Sequence, residues 1–393
     1  MQDIALSWLV YRLTGSAFLL GAIIFCKQIP NFLLSPLSGL LADRYNRHHI
    51  IIVTQTLAMG QAFLIAGLML TGWIQVWQIF CLSLLLGIIN AVDITARQAF
   101  IVDMVEGPED LTNAIALNSI TFNVARLVGP SVAGILLAMV GEGICFLINA
   151  VSFLGVLVVL CAMRISPKPP NKRHCSVFQD IREGCAYVYR FPSIKYIILL
   201  MALVSFMGLP YLTLMPIFAT QVYAGNSSTL GLFMSAIGGG AICGATFLAA
   251  RPNTDYMEKF IPFAGALFGG ALLIFSQLNS VWLGVLTLFF AGLGMITQSA
   301  SSNTLLQTMI DEDKRGRVMG FYSMAHSGMP PFGNLLAGFL AGQIGAPMTL
   351  FWGGVFCILG AVAFLRKLPM IQEYINEHAM VANEQRLDLY EHD

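Results

Sequence analysis

Four ionisable residues fall inside long apolar stretches, where charged side chains are rare. Lys27, Asp93, Arg97 and Arg126 each lie within a run of hydrophobic residues long enough to cross a bilayer. A charge in hydrocarbon is costly unless it is paired or hydrated, so each of these residues marks a candidate functional site. The chemistry open to them is ion pairing and proton exchange.

The acidic residue of this set is the candidate for proton exchange. Asp93 and Arg97 are four residues apart and therefore share one helix face. We expect Asp93 to pair with Arg126 in the next apolar run and to exchange a proton as that pair breaks and re-forms. A static ion pair that fixes helix packing is the alternative, and Arg97 alone could be an anchor at the membrane edge. Lys27 has no obvious acidic partner in the sequence, which leaves open whether it faces a cavity.

Composition indicates the class of protein. The 393 residues are 57% hydrophobic and 11% charged, with a mean hydropathy of +0.74, whereas soluble domains carry about 25% charged residues. The apolar runs are continuous, which argues against a strand barrel. An all-α membrane protein follows. A net charge of zero gives no sign of a nucleic-acid partner. With no nucleotide loop, ligand-spaced His or Cys, or nucleophile motif, we expect no enzyme activity, metal or cofactor.

The apolar runs predict twelve spans. By residue number they cover about 1–13, 17–41, 50–70, 76–100, 111–139, 144–164, 193–222, 229–250, 260–278, 282–309, 318–344 and 348–365. A helix of about 12 residues reaches about 18 Å, against roughly 30 Å of hydrocarbon. We therefore expect the first run to be half of a span, with the native start upstream or misplaced.

Loop charges orient these spans. A short basic loop between two spans stays in the cytoplasm, and among the loops predicted to lie outside only Arg12 is basic. The sequence thus predicts a multi-pass protein of a bacterial inner membrane with a cytoplasmic C-terminus. Residues 1–164 and 193–367 are predicted to form two six-helix bundles. Residues 165–192 between them form a cytoplasmic linker with an amphipathic helix, and residues 368–393 form a cytoplasmic tail.

The loop between the second and third spans carries a family signature. Residues 39–49 read GLLADRYNRHH, which resembles the loop motif of the major facilitator superfamily. The resemblance implies the major facilitator fold and a cytoplasmic gate formed by Gly39, Asp43, Arg44 and Arg47. In that gate Asp43 and Arg47 help to lock the two halves in one state. Taken alone, the loop could be no more than a positive-inside anchor.

Longer stretches narrow the resemblance to one branch. Residues 91–105, 111–138 and 301–338 are similar to the enterobactin-exporter and macrolide-efflux branch, the transmembrane secretion effectors. The resemblance implies that Asp103 pairs with the signature-loop arginine as a cytoplasmic latch. It also implies that Gly129, Pro130 and Gly134 form the span 5 motif of antiporters, which bends the helix and controls leak. Gly-Pro kinks also occur in spans without that role.

The same resemblance predicts the function. We expect a monomeric carrier that exports a small amphipathic molecule, a siderophore or drug, by proton antiport and alternating access. Its partners are then the small-molecule substrate, protons and the lipid bilayer. An importer or facilitator of a polar metabolite is one alternative, and a transport-defective protein with a short first span is another. The chain departs from the resemblance at Ser83, which stands where many drug antiporters carry Arg.

Uncharged polar residues within the spans are further candidates for a cavity wall. Taken singly, each is more commonly an interhelical hydrogen-bonding group. They are Asn90, Asn118, Asn123, Gln298, Asn303, His326 and Asn334.

Overall fold

The computed structural model describes residues 2–104, 108–163, 188–189, 191–250, 257–310 and 312–373. Across these ranges the secondary structure is helical, with no strand. Most of the central linker, including its predicted amphipathic helix, lies outside the described residues, as does the tail beyond residue 373. The first tail residues, 368–373, are helical.

Five helices form the N-terminal group. They are α1 (Gln2–Thr14), α2 (Ala17–Arg44), α3 (Arg47–Leu70), α4 (Val76–Met104) and α5 (Pro108–Ala162). With 13 residues, α1 is too short to cross a bilayer, as the first apolar run predicts. Helix α5 runs for 55 residues but is broken at Gly141, which has φ 75° and ψ 176°. The break falls at the turn predicted between the fifth and sixth apolar runs.

The C-terminal group contains more interruptions. Its helices are α6 (Pro192–Met207), α7 (Tyr211–Ile217), α8 (Ser227–Ala249), α9 (Met257–Gln277), α10 (Val281–Met309), α11 (Glu312–Ser323), α12 (Pro330–Ile344) and α13 (Ala346–Leu365). The seventh run breaks before Tyr211, since Pro210 cannot donate a helical hydrogen bond. A π-helical turn, Met324–Gly328, interrupts the eleventh run just before Pro330, a break that the apolar pattern does not reveal.

Nine helical segments of the described chain are long and apolar enough to cross a membrane. Three of the twelve predicted spans are not among them. The first is short, the fifth is continuous with the sixth in α5, and the eleventh is divided by the π-helical turn. The count of twelve therefore stays a prediction.

Four turns require glycine because their φ angles are positive. Gly15, Gly72, Gly141 and Gly345 have φ between 59° and 83°, a region that L side chains rarely adopt. They join α1 to α2, α3 to α4, the two parts of α5, and α12 to α13. Because successive spans run in opposite directions, these turns share one end of the molecule, here named the glycine-turn end. The opposite end, with the Arg44–Arg47 turn, is named the basic end.

The two groups of helices touch near the glycine-turn end. Helix α2 packs against α12, and α5 packs against α8. Glycines stand at both crossings: Gly21 faces Gly338, and Gly134 faces Gly231. All four lie within about two helical turns of the glycine-turn end. Small residues at these points let the backbones approach closely, which brings the two groups together at this end.

Candidate substrate cavity

A cavity of about 440 Å³ lies between the two groups of helices, farther from the glycine-turn end than the glycine crossings. The N-terminal group supplies a polar wall formed by Asp3, Lys27, Gln28, Asn31 and Asn90. The C-terminal group supplies a largely apolar wall from α8 and α10, formed by Met234, Ile237, Ala241, Met295 and Ile296. The cavity therefore suits a ligand with one polar and one apolar face.

Lys27 faces this cavity and has an acidic partner. Its Nζ donates to Oδ1 of Asp3 at the start of α1. The Lys27 side chain is 12% exposed and that of Asp3 is 73% exposed. Sequence reasoning missed Asp3, although an acidic residue inside the first apolar run was the signal that could have found it.

A buried amide network holds the start of α1 in place. Gln2 Nε2 donates to Gln61 Oε1 of α3 at 2.9 Å, and Asn149 Nδ2 of α5 donates to Gln2 Oε1 at 3.1 Å. Gln61 in turn donates to the Leu82 carbonyl at 3.3 Å. Because Gln2 precedes Asp3 directly, the same network positions the acidic partner of Lys27.

The far end of α1 is tied at the glycine-turn end. Arg12 Nε lies 2.8 Å from Glu142 Oε1, beside the Gly141 break in α5. Between the two ends, apolar residues of α1 such as Leu6, Leu9 and Val10 are buried against the rest of the protein. The short first helix is thus packed along its length.

Asp93 lies between α3 and α4 rather than on the cavity wall. It accepts hydrogen bonds from Thr54 Oγ1 at 2.7 Å, from Gln55 Nε2 at 2.8 Å and from Arg97 Nη2 at 3.1 Å. Among the described residues, the wall of the cavity includes its α4 neighbours Asn90 and Ile94 but neither Asp93 nor Arg97. The sequence placed Arg97 on the same helix face as Asp93 without predicting this ion pair, and it gave no sign of the two α3 donors. The Arg126 side chain is outside the described residues, so its pairing with Asp93 stays a prediction.

The signature loop joins three helices at the basic end. Arg47 Nη1 donates to the Ala99 carbonyl of α4 at 3.2 Å. Asn46 caps α3 by accepting from the His48 backbone N–H at 2.9 Å. His48 Nε2 lies 2.8 Å from the Leu160 carbonyl of α5, and its ring stacks on Phe100 at 5.6 Å between centroids. The role of His48 was missed from sequence.

The remaining gate predictions are tested only in part. Arg44 is exposed, and nothing lies within 4 Å of a Cβ added at Gly39. The side chains of Asp43 and Asp103 are outside the described residues, so the latch between Arg47 and Asp103 stays a prediction.

The residues of the predicted span 5 motif have different surroundings. Gly134 packs against the Gly231 backbone, whereas nothing lies within 4 Å of a Cβ added at Gly129. Pro130 lies in helix α5, and its side chain is outside the described residues. Close helix packing is therefore a property of Gly134.

Three of the polar candidates, Asn90, His326 and Asn334, line the cavity. Asn334 of α12 accepts from Thr213 Oγ1 at 2.9 Å and donates from Nδ2 to Gln28 Oε1 of α2 at 3.2 Å. It therefore links the two groups of helices. His326 also lines the cavity, from the π-helical turn, and its ring stacks on Tyr322.

The other polar candidates lie elsewhere. Gln298 is buried within the C-terminal group, Asn303 accepts from Gln307 of its own helix, and Asn118 lines a separate groove near Arg97. The Asn123 side chain is outside the described residues.

Comparison with known proteins decides the family. Residues 1–391 match the family model described as transmembrane secretion effector. The chain belongs to this family. It is 26% identical over 387 residues to the staphyloferrin A transporter of Staphylococcus aureus, covering 95% of this chain and 94% of that protein. It is 27% identical over 342 residues to the enterobactin exporter EntS of Citrobacter koseri, covering 86% and 76% of the two chains.

The multidrug efflux pump Tap of Mycolicibacterium fortuitum is 22% identical over 381 residues, covering 94% of this chain and 92% of that pump. Among solved structures, a bacterial homologue of the lysosomal transporter Spinster superposes with a TM-score of 0.69 at 14% identity. It covers 95% of this chain and 94% of its own. That likeness shows the fold alone. The family and these relatives confirm a multi-pass transporter of the major facilitator superfamily and not an enzyme.

Proposed function

We propose that the protein exports a small amphipathic molecule, a siderophore or drug, across the bacterial inner membrane. The observation that carries this proposal is the cavity between the two groups of helices, with a polar, charged wall from the N-terminal group and an apolar surface from α8 and α10. Its relatives include a staphyloferrin A transporter, an enterobactin exporter and a multidrug efflux pump. Two bundles of six spans rock around this cavity, which opens alternately to each side.

In this proposal the basic end faces the cytoplasm, because lysine and arginine stay on that side. The C-terminus is then cytoplasmic, and the glycine-turn end is outside. The contacts of Gly21 with Gly338 and of Gly134 with Gly231 close the outer side of the cavity. The packing of α1 against α3 and α5 argues against a transport-defective protein, since the short helix has a defined place in the bundle.

Asp93 is the proposed coupling residue. Its carboxylate accepts from Thr54, Gln55 and Arg97, and protonation would weaken the charge-assisted bonds that join α3 to α4. A change of protonation could thereby move the basic end, where Arg47 also bridges α3 to α4 and, in this proposal, reaches Asp103 as a latch. The static alternative leaves Asp93 ionised throughout and limits its role to packing.

Uptake into everted membrane vesicles, whose cytoplasmic face points outward, tests the proposal. Vesicles given candidate siderophores or drugs in the outer medium should accumulate them only with a proton gradient, and an uncoupler should abolish accumulation. Accumulation that resists the uncoupler would remove antiport. Asp93→Asn should retain the folded protein, measured by thermal melting, and lose gradient-driven transport. Full transport by this variant would limit Asp93 to packing.

A second function, import or facilitated passage of a polar metabolite, is favoured by one observation. Four amide side chains, from Gln28, Asn31, Asn90 and Asn334, line the cavity. Uptake into right-side-out vesicles separates the two directions. Uptake that exceeds efflux under the same gradient would replace the export proposal.

A further inference from the structure

We propose that Lys27 is the anchor for a carboxylate of the substrate, and that Asp3 occupies this anchor while the cavity is empty. The inference deepens the proposed transport function and depends on its cavity. It assigns the substrate to amphipathic carboxylates.

The two members of the ion pair differ in burial, which favours replacement of Asp3 by another anion. The Lys27 ammonium is largely buried, with 12% of its side chain exposed, and a buried cation without a counterion is strongly unfavourable. Asp3 keeps 73% of its side chain exposed, so its carboxylate remains hydrated when it leaves. Lys27 therefore requires an anion, whereas Asp3 does not require Lys27. A substrate carboxylate can take the place of Asp3 without leaving the ammonium unpaired.

The surroundings of Lys27 suit oxygen-rich anions. Asn31 and Asn90 lie on the same wall of the cavity, and their amide groups can donate to carboxylate or hydroxyl oxygens. Across the cavity, Met234 and Met295 supply flexible apolar surface for the rest of the molecule. An amphipathic ligand would place its carboxylate at Lys27 and its hydrocarbon against the methionines.

The charges on the cavity wall favour a carboxylate over other charged groups on the ligand. Of the residues described on the cavity wall, Lys27 supplies the one ammonium and Asp3 the one carboxylate. One ammonium balances one carboxylate. A dianionic phosphate would leave an unbalanced charge, and the planar Arg fork that suits phosphate is absent from the described wall. A cationic ligand at Asp3 would have to approach Lys27, which repels it.

Binding to the purified full-length protein in detergent tests the anchor. The probes are 4-phenylbutyrate, its neutral amide and 4-phenylbutylamine, compared by thermal stabilisation and calorimetric titration. We expect the carboxylate to bind at least tenfold more tightly than the amide. Lys27→Gln should remove that preference, Lys27→Arg should retain part of it, and Asp3→Asn should strengthen carboxylate binding severalfold because the competing anion is gone. Tighter binding of the amine, or an unchanged preference in Lys27→Gln, would overturn the proposal.

A double variant covers the risk that Lys27→Gln alone does not fold. Lys27→Gln with Asp3→Asn removes both charges together, which avoids an unpaired buried ion. It should bind the carboxylate and the amide equally, and a retained preference for the carboxylate would overturn the anchor. Transport in vesicles separates this outcome from the proposed export. Selective carboxylate binding without efflux would contradict export but not the anchor. Efflux of carboxylates by the double variant at the wild-type rate would contradict the anchor but not export.

Discussion

Gly231 of α8 packs directly against the backbone of Gly134 in α5. A Cβ added at Gly231 would lie 2.7 Å from the Gly134 carbonyl oxygen, and a Cβ added at Gly134 would lie 2.4 Å from the Gly231 Cα. Neither backbone can move away without separating the two groups of helices at the glycine-turn end. This contact makes Gly134 a packing residue, independently of the antiporter role that the resemblance implies for the span 5 motif.

Gly134→Val should therefore force α5 and α8 apart. We expect at least a tenfold loss of transport in vesicles. The matched control is Gly129→Val, the same substitution on the same helix, where no atom of the described residues lies within 4 Å of the added Cβ. Equal damage from the control would show that helix bending, rather than the contact with α8, explains the motif.

Gln61 and Gln298 provide a second comparison, between two buried amides. Gln61 bonds to Gln2 and to the Leu82 carbonyl, whereas both amide atoms of Gln298 lack a hydrogen-bond partner within the described ranges. Gln61→Leu strands the buried Gln2 amide and should destabilise the protein by about 1–3 kcal/mol. Gln298→Leu should be neutral or stabilising. Thermal melting in detergent checks both, and a reversed order would contradict the hydrogen-bond assignment.

Local signals in the sequence predict the elements of this fold well. Continuous apolar runs predict the helices, and the turn predicted between the fifth and sixth runs coincides with the break at Gly141. The break before Tyr211 falls inside a run that was predicted to be continuous. The π-helical turn at Met324–Gly328 was not predicted, although Pro330 and Pro331 follow it closely.

Partners across the bundle are harder to predict than the elements. Thr54 and Gln55 precede Asp93 by about forty residues, and Glu142 follows Arg12 by 130 in sequence. Such pairs depend on helix rotation and on which helices are neighbours, which one sequence does not specify. Lys27 and Asp3 are only 24 residues apart, but the short first helix gave no sign that it was packed in the bundle.

The Arg12–Glu142 pair at the glycine-turn end should contribute little to stability. The Arg12 side chain is 47% exposed, so solvent screens the attraction, and exposed pairs are worth about 0–1 kcal/mol. A double-mutant cycle with Arg12→Ala and Glu142→Ala should give a coupling free energy below about 1 kcal/mol. A larger coupling that persists in high salt would mean that this pair, rather than the amide network at Gln2, holds α1 in place.

Thr54 and Thr56 allow a tertiary hydrogen bond to be compared with a local one. Thr54 is buried and donates to Asp93 of the neighbouring helix at 2.7 Å, whereas Thr56 is exposed and donates to the Ile52 carbonyl of its own helix at 2.7 Å. Thr54→Val removes a donor from a buried carboxylate and should cost about 1.5–3 kcal/mol. Thr56→Val should stay within about 0.5 kcal/mol of the wild type. Thermal melting measures both variants. Equal stability of the two would mean that Asp93 does not depend on Thr54, and would leave Gln55 and Arg97 to join it to its surroundings.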